Sequence, residues 1–206
     1  MSPATVAAPG VDTPSVHPTP AVTGTTARVL RPLLADRHGP CAFDASARLD
    51  PEQLDVLIEA ARWAPSTSNT QPWRFLAARR GDRAFAALLA ALTPNNREWA
   101  RDAAALVLVA AETVDADGVP RRWALYDTGQ ATAHLTTEAA DLGFAARQIV
   151  GFLPSQLPDL PARVTPLVVV AVGAPLPPEE VPVGHPARRF AACSRRPLDE
   201  LLLDVA

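Results

Sequence analysis

Lysine is absent from the 206 residues, and all nineteen basic side chains are arginine. That excludes a Schiff-base lysine and a phosphate-loop lysine. Any bound anion must then be held by arginine, histidine or backbone N–H groups. A compositional bias toward Arg, Ala and Pro accounts for the absence itself. Cysteine is scarce too, with only Cys41 and Cys193. Two cysteines do not make the disulfide framework of a small secreted protein, so the expectation is a cytoplasmic chain with reduced thiols. No stretch has the ~18 apolar residues of a membrane span. The N-terminal residues lack a basic region followed by an apolar run, so no secretory signal is expected. A net charge of −3 gives no strong field for nucleic acid. No His, Cys or carboxylate cluster has the spacing of a zinc or iron site, so no metal is expected, and His134 reads as a packed or interface histidine. No nucleophile–base pair stands out.

What is present suits one domain with a sizeable core. Residues 1–26 are rich in Pro, Ala, Thr and Val, with Asp12 as their one acidic residue and no aromatic. Such a segment does not bury enough surface to offset its ordering entropy. It is expected to be a flexible tail or an arm that folds on a partner subunit, ahead of one domain over residues 27–206. Arg28 to Arg37 has helical spacing. Asp50-Pro51-Glu52-Gln53 is a helix start with a capping box, and Leu54, Leu57, Ile58 and Ala61 follow at helical spacing. Arg74 to Ala78 reads as a strand and Asp82 to Leu92 as a helix that the Thr93-Pro94-Asn95-Asn96 cluster breaks. Ala104 to Ala111 and Pro166 to Gly173 are continuous apolar runs typical of strands buried on both faces. Between them, Arg121 to Leu142 is the longest helix pattern, stopped by Gly143.

Chemistry concentrates in Ala64-Pro65-Ser66-Thr67-Ser68-Asn69-Thr70-Gln71-Pro72-Trp73. Two prolines restrict a loop dense in hydroxyl and amide groups. Binding groups concentrate on loops held by a scaffold, and this loop suits a planar heterocycle with donors and acceptors on its edge. Two cationic segments, Arg37-His38-Gly39 and Arg195-Arg196, suit an anion.

Glu59-Ala60-Ala61-Arg62-Trp63-Ala64-Pro65-Ser66, with Asn69, Gln71-Pro72-Trp73 and Phe75, resembles the flavin-binding core of the nitroreductase family. Tyr126-Asp127, Gly129, Leu142-Gly143 and Gly151-Phe152 are similar to its second motif. Ser194-Arg195-Arg196-Pro197-Leu198-Asp199-Glu200-Leu201 resembles its C-terminal phosphate-contacting motif. The likeness covers about Val29 to Leu203. It implies an α+β nitroreductase-like fold, with a mixed central β-sheet flanked by helices, in an intertwined homodimer with flavin at the interface. It also implies FMN as cofactor and NADH or NADPH as electron donor, with hydride passing to flavin N5 and then to a small organic acceptor such as a nitroaromatic or a quinone. Mapped residue by residue, Pro65, Ser66, Thr67, Asn69 and Gln71 would line the ring and ribityl chain. A loop of Gln148, Ile149, Val150 and Gly151 would present backbone N–H groups to the reactive edge. Arg37, His38, Gly39, Arg195 and Arg196 would surround the phosphate. The resemblance demands no catalytic acid from the chain.

The match departs from the family at the tail of the cofactor. Gly39 stands where serine is usual, and Cys41 and Cys193 stand where basic contacts are usual. The two thiols are therefore expected near the phosphate end. Three outcomes follow: FMN kept through the remaining arginines and His38, FMN held weakly, or a pair of thiols close enough to join. The alternative function is a non-catalytic flavin- or metabolite-binding relative with a weakened phosphate site.

Overall fold

The computed structural model describes residues 30–35, 37–185, 187 and 195–203. The N-terminal segment 1–26 and Cys193 lie outside them, and with Cys193 the idea that the two thiols approach each other. In chain order the elements are α1 (Pro32–Ala35), α2 (Pro51–Arg62), β1 (Trp73–Arg79), α3 (Arg83–Ala91), α4 (Pro94–Ala100), β2 (Ala105–Glu112), α5 (Ala124–Asp141), β3 (Ala145–Ile149) and β4 (Val164–Gly173).

The strands form one four-stranded sheet in the order β1-β2-β4-β3. Every pairing among the described strands is antiparallel. This corrects the expected mixed sheet. The physical reason lies in the β2–α5–β3 crossover. Both its strands pair antiparallel to β4, so they run in the same direction, but β4 inserts between them and removes any parallel ladder.

Helices cover both faces, as the unbroken apolar runs require. All eight residues of β2 are buried. Its Ala105, Val107 and Val109 pack with Leu54 and Leu57 of α2 and Ala131 and Leu135 of α5. Its Leu106 and Leu108 pack on the other face with Phe85 and Leu88 of α3 and Trp99 of α4. The alternation follows from the two-residue period of a strand. Each fully buried Leu or Val adds ~1.5–3 kcal/mol relative to exposure.

The capping box at α2 is complete: Gln53 N–H donates to Asp50 Oδ1 at 2.7 Å and Asp50 N–H to Gln53 Oε1 at 3.0 Å. Gly143 follows α5 at φ 78°, the left-handed position that glycine fills at least cost. Three local expectations are corrected. Of the helix expected over Arg28–Arg37, only Pro32–Ala35 is helical among the described residues. The Thr93-Pro94 break also starts α4, with Pro94 in its first turn, where a missing N–H costs nothing. Gln148 and Ile149, expected in a loop, are the last residues of β3, because their backbone pairs with Val170 and Val169 of β4.

Candidate functional site

The polar loop leaves α2 at its C-terminus and enters β1 at Trp73. Residues Thr67–Asn69 make a single tight turn. Ser68, Asn69 and Gln71 have positive φ of 51°, 55° and 46°. Non-glycine residues in this region cost ~1–3 kcal/mol each and persist only where surroundings over-determine them. Those surroundings are two buried carboxylates. Asp127, in the first turn of α5 and 2% exposed, accepts the Thr67 N–H at 2.9 Å. Glu112, 6% exposed at the end of β2, is ringed by three guanidinium groups: Arg163 at 2.6 Å, Arg74 at 2.9 Å and Arg121 at 3.5 Å. Two of these arginines reach the loop, Arg121 donating to Thr70 O and Arg74 to Gln71 O, both at 3.1 Å. Within the loop, Gln71 N–H donates to Ser66 Oγ at 3.0 Å. Pro65, Thr67, Asn69 and Gln71 remain exposed and Ser66 half-buried. A fixed backbone thus offers its outer polar groups to solvent.

The second cluster lies along β3, at the opposite edge of the sheet. There Arg37, His38 and Gly39 are half-buried, and Arg147 of β3 donates to Gly39 O at 2.5 Å. The Arg147 guanidinium carbon stands 5.6 Å from the centroid of Trp99, which lies 6.2 Å from Phe43. Cys41 is buried at 5% exposure, and burial pushes its thiol up to about 11 against the pull of Arg147. At pH 7 that thiol is neutral. Toward the end of the strand, Val150 is 79% exposed. Gly151 is clamped by the start of α4: Thr93 N–H and Asn96 Nδ2 donate to its carbonyl at 3.0 and 3.1 Å. A Cβ on Gly151 would overlap the Asn96 amide nitrogen, so a larger residue there would displace that side chain.

The loop and the β3 cluster do not meet within one chain. β2 and β4 separate β1 from β3, three strand spacings of about 4.8 Å, or roughly 14 Å. Arg195 and Arg196 are exposed, and Arg196 pairs with Glu200 at 3.0 Å. The sequence pattern did not single out Glu112, Arg74, Arg121, Arg163, Asn96 or Arg147. One signal was available: Glu112 is a lone charge ending an apolar run. Asp127 was noticed as part of a motif but not as the acceptor for the loop.

A groove of about 620 Å³ runs between α2 and α5, lined by Val56, Trp63, His134 and Glu138 among others. Trp63 is 72% exposed there. Its indole N–H donates to Glu59 at 2.8 Å, and hydrogen bonds from Arg62 and then Trp63 hold the Glu59 carboxyl down at about 2. His134 is exposed on α5 rather than packed within the chain. No group of three His, Cys, Asp or Glu among the described residues has the geometry of a metal site, and no described helix is long and apolar enough to cross a membrane.

Known proteins share this frame. A solved structure described as an oxidoreductase containing FMN superposes with a TM-score of 0.79 at 29% identity, covering 87% of this chain and 93% of that one. A putative nitroreductase in complex with FMN from Desulfovibrio desulfuricans gives 0.65 at 25% identity, over 86% and 99% of the two chains. In sequence, the oxygen-insensitive NADPH nitroreductase of Helicobacter pylori is 35% identical over 79 residues, 38% of this chain and 37% of that protein. The matched stretch thus spans little more than a third of that relative's length. The nitroreductase family model matches residues 34–174, from α1 through β4, taking in both the strained polar loop and the β3 cluster. With more than half of its length matched and its fold shared, this chain belongs to the nitroreductase family.

Proposed function

We propose that the protein is an FMN-dependent oxidoreductase that draws electrons from NADH or NADPH, with residues 27–206 acting as one domain. The observation that carries this reading is the polar loop. Three non-glycine residues at positive φ are held by Asp127 and by the arginines around Glu112, while its outer hydroxyl and amide groups stay open. Strain held at such a place is a mark of a functional site. The donor set fits FMN. Neutral groups of Ser66, Thr67, Asn69 and Gln71, with Pro65, suit a heterocycle and its ribityl chain. The Val150-Gly151 backbone, with Gln148 and Ile149 behind it, suits the reactive edge. Arg37, His38 and Gly39, with Arg195 and Arg196, suit a phosphate. FMN, when bound, supplies two-electron hydride chemistry between a nicotinamide and a small organic acceptor such as a nitroaromatic or a quinone. The chain's own task is to hold, orient and tune it.

A homodimer is part of the same reading. Two halves of the cradle lie at opposite sheet edges, and a second copy would bring its loop to the first copy's β3 edge. Exposed Trp63, Trp123, Leu125 and Tyr126 on and beside α2 and α5 offer apolar surface for that contact. One experiment tests the core reading. The purified chain should carry bound-flavin absorbance or take up FMN at micromolar concentration, and NADH or NADPH should bleach it. Failure to bind FMN at that level sinks the proposal. Sedimentation as a monomer would remove the dimer.

A second reading has its own observation in the buried, neutral Cys41 thiol, standing where the family resemblance expects a cation. It describes a flavin- or metabolite-binding relative without turnover. Uptake of FMN with no bleaching by either nicotinamide would select it.

A further inference from the structure

We infer that Arg163, with Arg74 beside it, forms an anion subsite next to the polar loop, taking a phosphate or carboxylate group of one of the small molecules that exchange electrons with the flavin. This rests on the FMN reading above and adds to it a charge that the electron donor or the acceptor carries. The observation is a surplus of positive charge. One carboxylate, Glu112, meets three guanidinium groups. Its Oε1 takes Arg163 Nε at 2.6 Å, and its Oε2 takes Arg74 Nη2 at 2.9 Å with Arg121 Nη2 at 3.5 Å. A single guanidinium would neutralise it. Like charges gathered at one point repel, and an anion added from outside relieves that repulsion. Asp115, the next acid along the chain, is engaged within its own turn, where its Oδ1 accepts the N–H groups of Asp117 and Val119.

The three arginines differ in task. Arg74 and Arg121 also donate to loop carbonyls, so holding the loop accounts for them. Arg163 makes no bond to the loop. It gives only Nε to Glu112, and its Nη1 and Nη2 groups make no hydrogen bond among the described residues. The Arg163 side chain is 55% exposed and that of Arg74 48%. These two take the two oxygens of one carboxylate, so their guanidinium groups are neighbours with access to solvent. Planar forks of this kind bind phosphate and carboxylate through paired N–H groups. The backbone carrying Arg163 is fixed, because Thr113 N–H donates to its carbonyl at 3.0 Å just before β4 begins. The buried side of the cluster also has a spare donor, Arg121 Nε, with no partner among the described residues. Position selects the ligand. Glu112 N–H donates to Pro72 O at 2.7 Å, so cluster and loop share one end of the sheet, and Arg74 bonds to both. The anion therefore belongs to a molecule that works beside the loop, either the nicotinamide donor or the acceptor.

The test compares the full chain loaded with FMN with Arg163→Gln and Arg163→Lys. Glutamine keeps a donor for Glu112 and removes the charge, while Arg74 and Arg121 still hold the loop. Stopped flow follows flavin reduction by NADPH and NADH, and anaerobic reoxidation of dithionite-reduced flavin by para-nitrobenzoate and its neutral match, para-nitrobenzamide. R163Q raises the apparent Kd of the anionic reactant about tenfold or more with its limiting rate unchanged, and R163K recovers part of the loss. A rise for NADPH alone assigns its 2′-phosphate, a rise for both nicotinamides their shared diphosphate, and a rise for nitrobenzoate alone a carboxylate on the acceptor. R163Q indistinguishable from wild type toward all four reactants overturns the inference. So does a loss shared by nitrobenzamide or by FMN affinity, which marks a disturbed loop. A wild-type chain that binds no FMN removes the parent reading and this one together.

Discussion

The two edges of the sheet are built on opposite charge logic. At the β1 edge, a neutral polar loop is held from beneath by buried carboxylates, Asp127 and Glu112. At the β3 edge, a guanidinium and a cationic segment sit against a buried thiol and two aromatic rings. The first edge fixes shape by using its acids internally. The strained loop is held by residues remote in sequence, Asp127 and the Arg121 paired with Glu112, together with local bonds from Gln71 to Ser66 and from Arg74 to Gln71.

The sharpest way to break this comparison is Glu112→Ala. It releases three guanidinium groups and removes the support for Arg74 and Arg121 on the loop carbonyls, with an expected loss of about 3 kcal/mol. Urea unfolding measures the loss, and limited proteolysis should show cleavage within residues 66–71 while Trp99 stays buried. Asp127→Ala should cost about 2 kcal/mol by removing a charged acceptor from the Thr67 N–H. An unchanged unfolding midpoint would show that the loop holds itself. At the β3 edge, the Cys41 thiol is raised to about 11 from 9.0. The folded state keeps its proton where the unfolded state loses it, so this stability is fully present below pH 9 and lost as pH rises through 11. The wild type should therefore lose on the order of 2 kcal/mol over that window, and Cys41→Ala should show a flatter profile in urea titrations at pH 8 and 11.

Smaller effects sharpen the picture. Gly151→Ala should displace Asn96 and cost about 1–2 kcal/mol, read as a lower melting temperature, and should disturb flavin uptake more than the loop's protease resistance. Ser68→Gly should raise stability by roughly 0.5 kcal/mol by relieving a left-handed non-glycine residue, less glycine's extra entropy cost. A loss there would mean that the Ser68 side chain makes a contact worth more than the strain.

Much of the fold was legible because its determinants are local. The capping box at Asp50, the apolar runs of β2 and β4, and the stop at Gly143 all obey spacing rules that need no tertiary context. β3 was missed because Arg147 and Gln148 interrupt the apolar signal of Ala145–Ile149, although Ala145 and Ile149 are buried on one face and Ala146 on the other. The start of α4 was hidden because the Pro-Asn-Asn pattern that opens it also reads as a turn. The sheet's parity was misread because strand order depends on where β4 inserts, which no local pattern encodes.

At the candidate site, the sequence by itself determined the chemical character of the loop and its family, because Pro65, Ser66, Asn69, Gln71 and Trp73 recur in a specific order. It also determined that any anion must meet arginine, histidine or backbone, since lysine is absent. Only the tertiary structure decided that the loop is locked by Asp127, 60 residues from Thr67, and by Arg121, 51 residues from Thr70, and that Glu112 pairs with Arg74 across 38 residues. It alone set Arg147 beside Gly39, 108 residues apart. Charge pairing and stacking act through space, and a chain's spacing carries no record of which distant residues the sheet will bring to one edge.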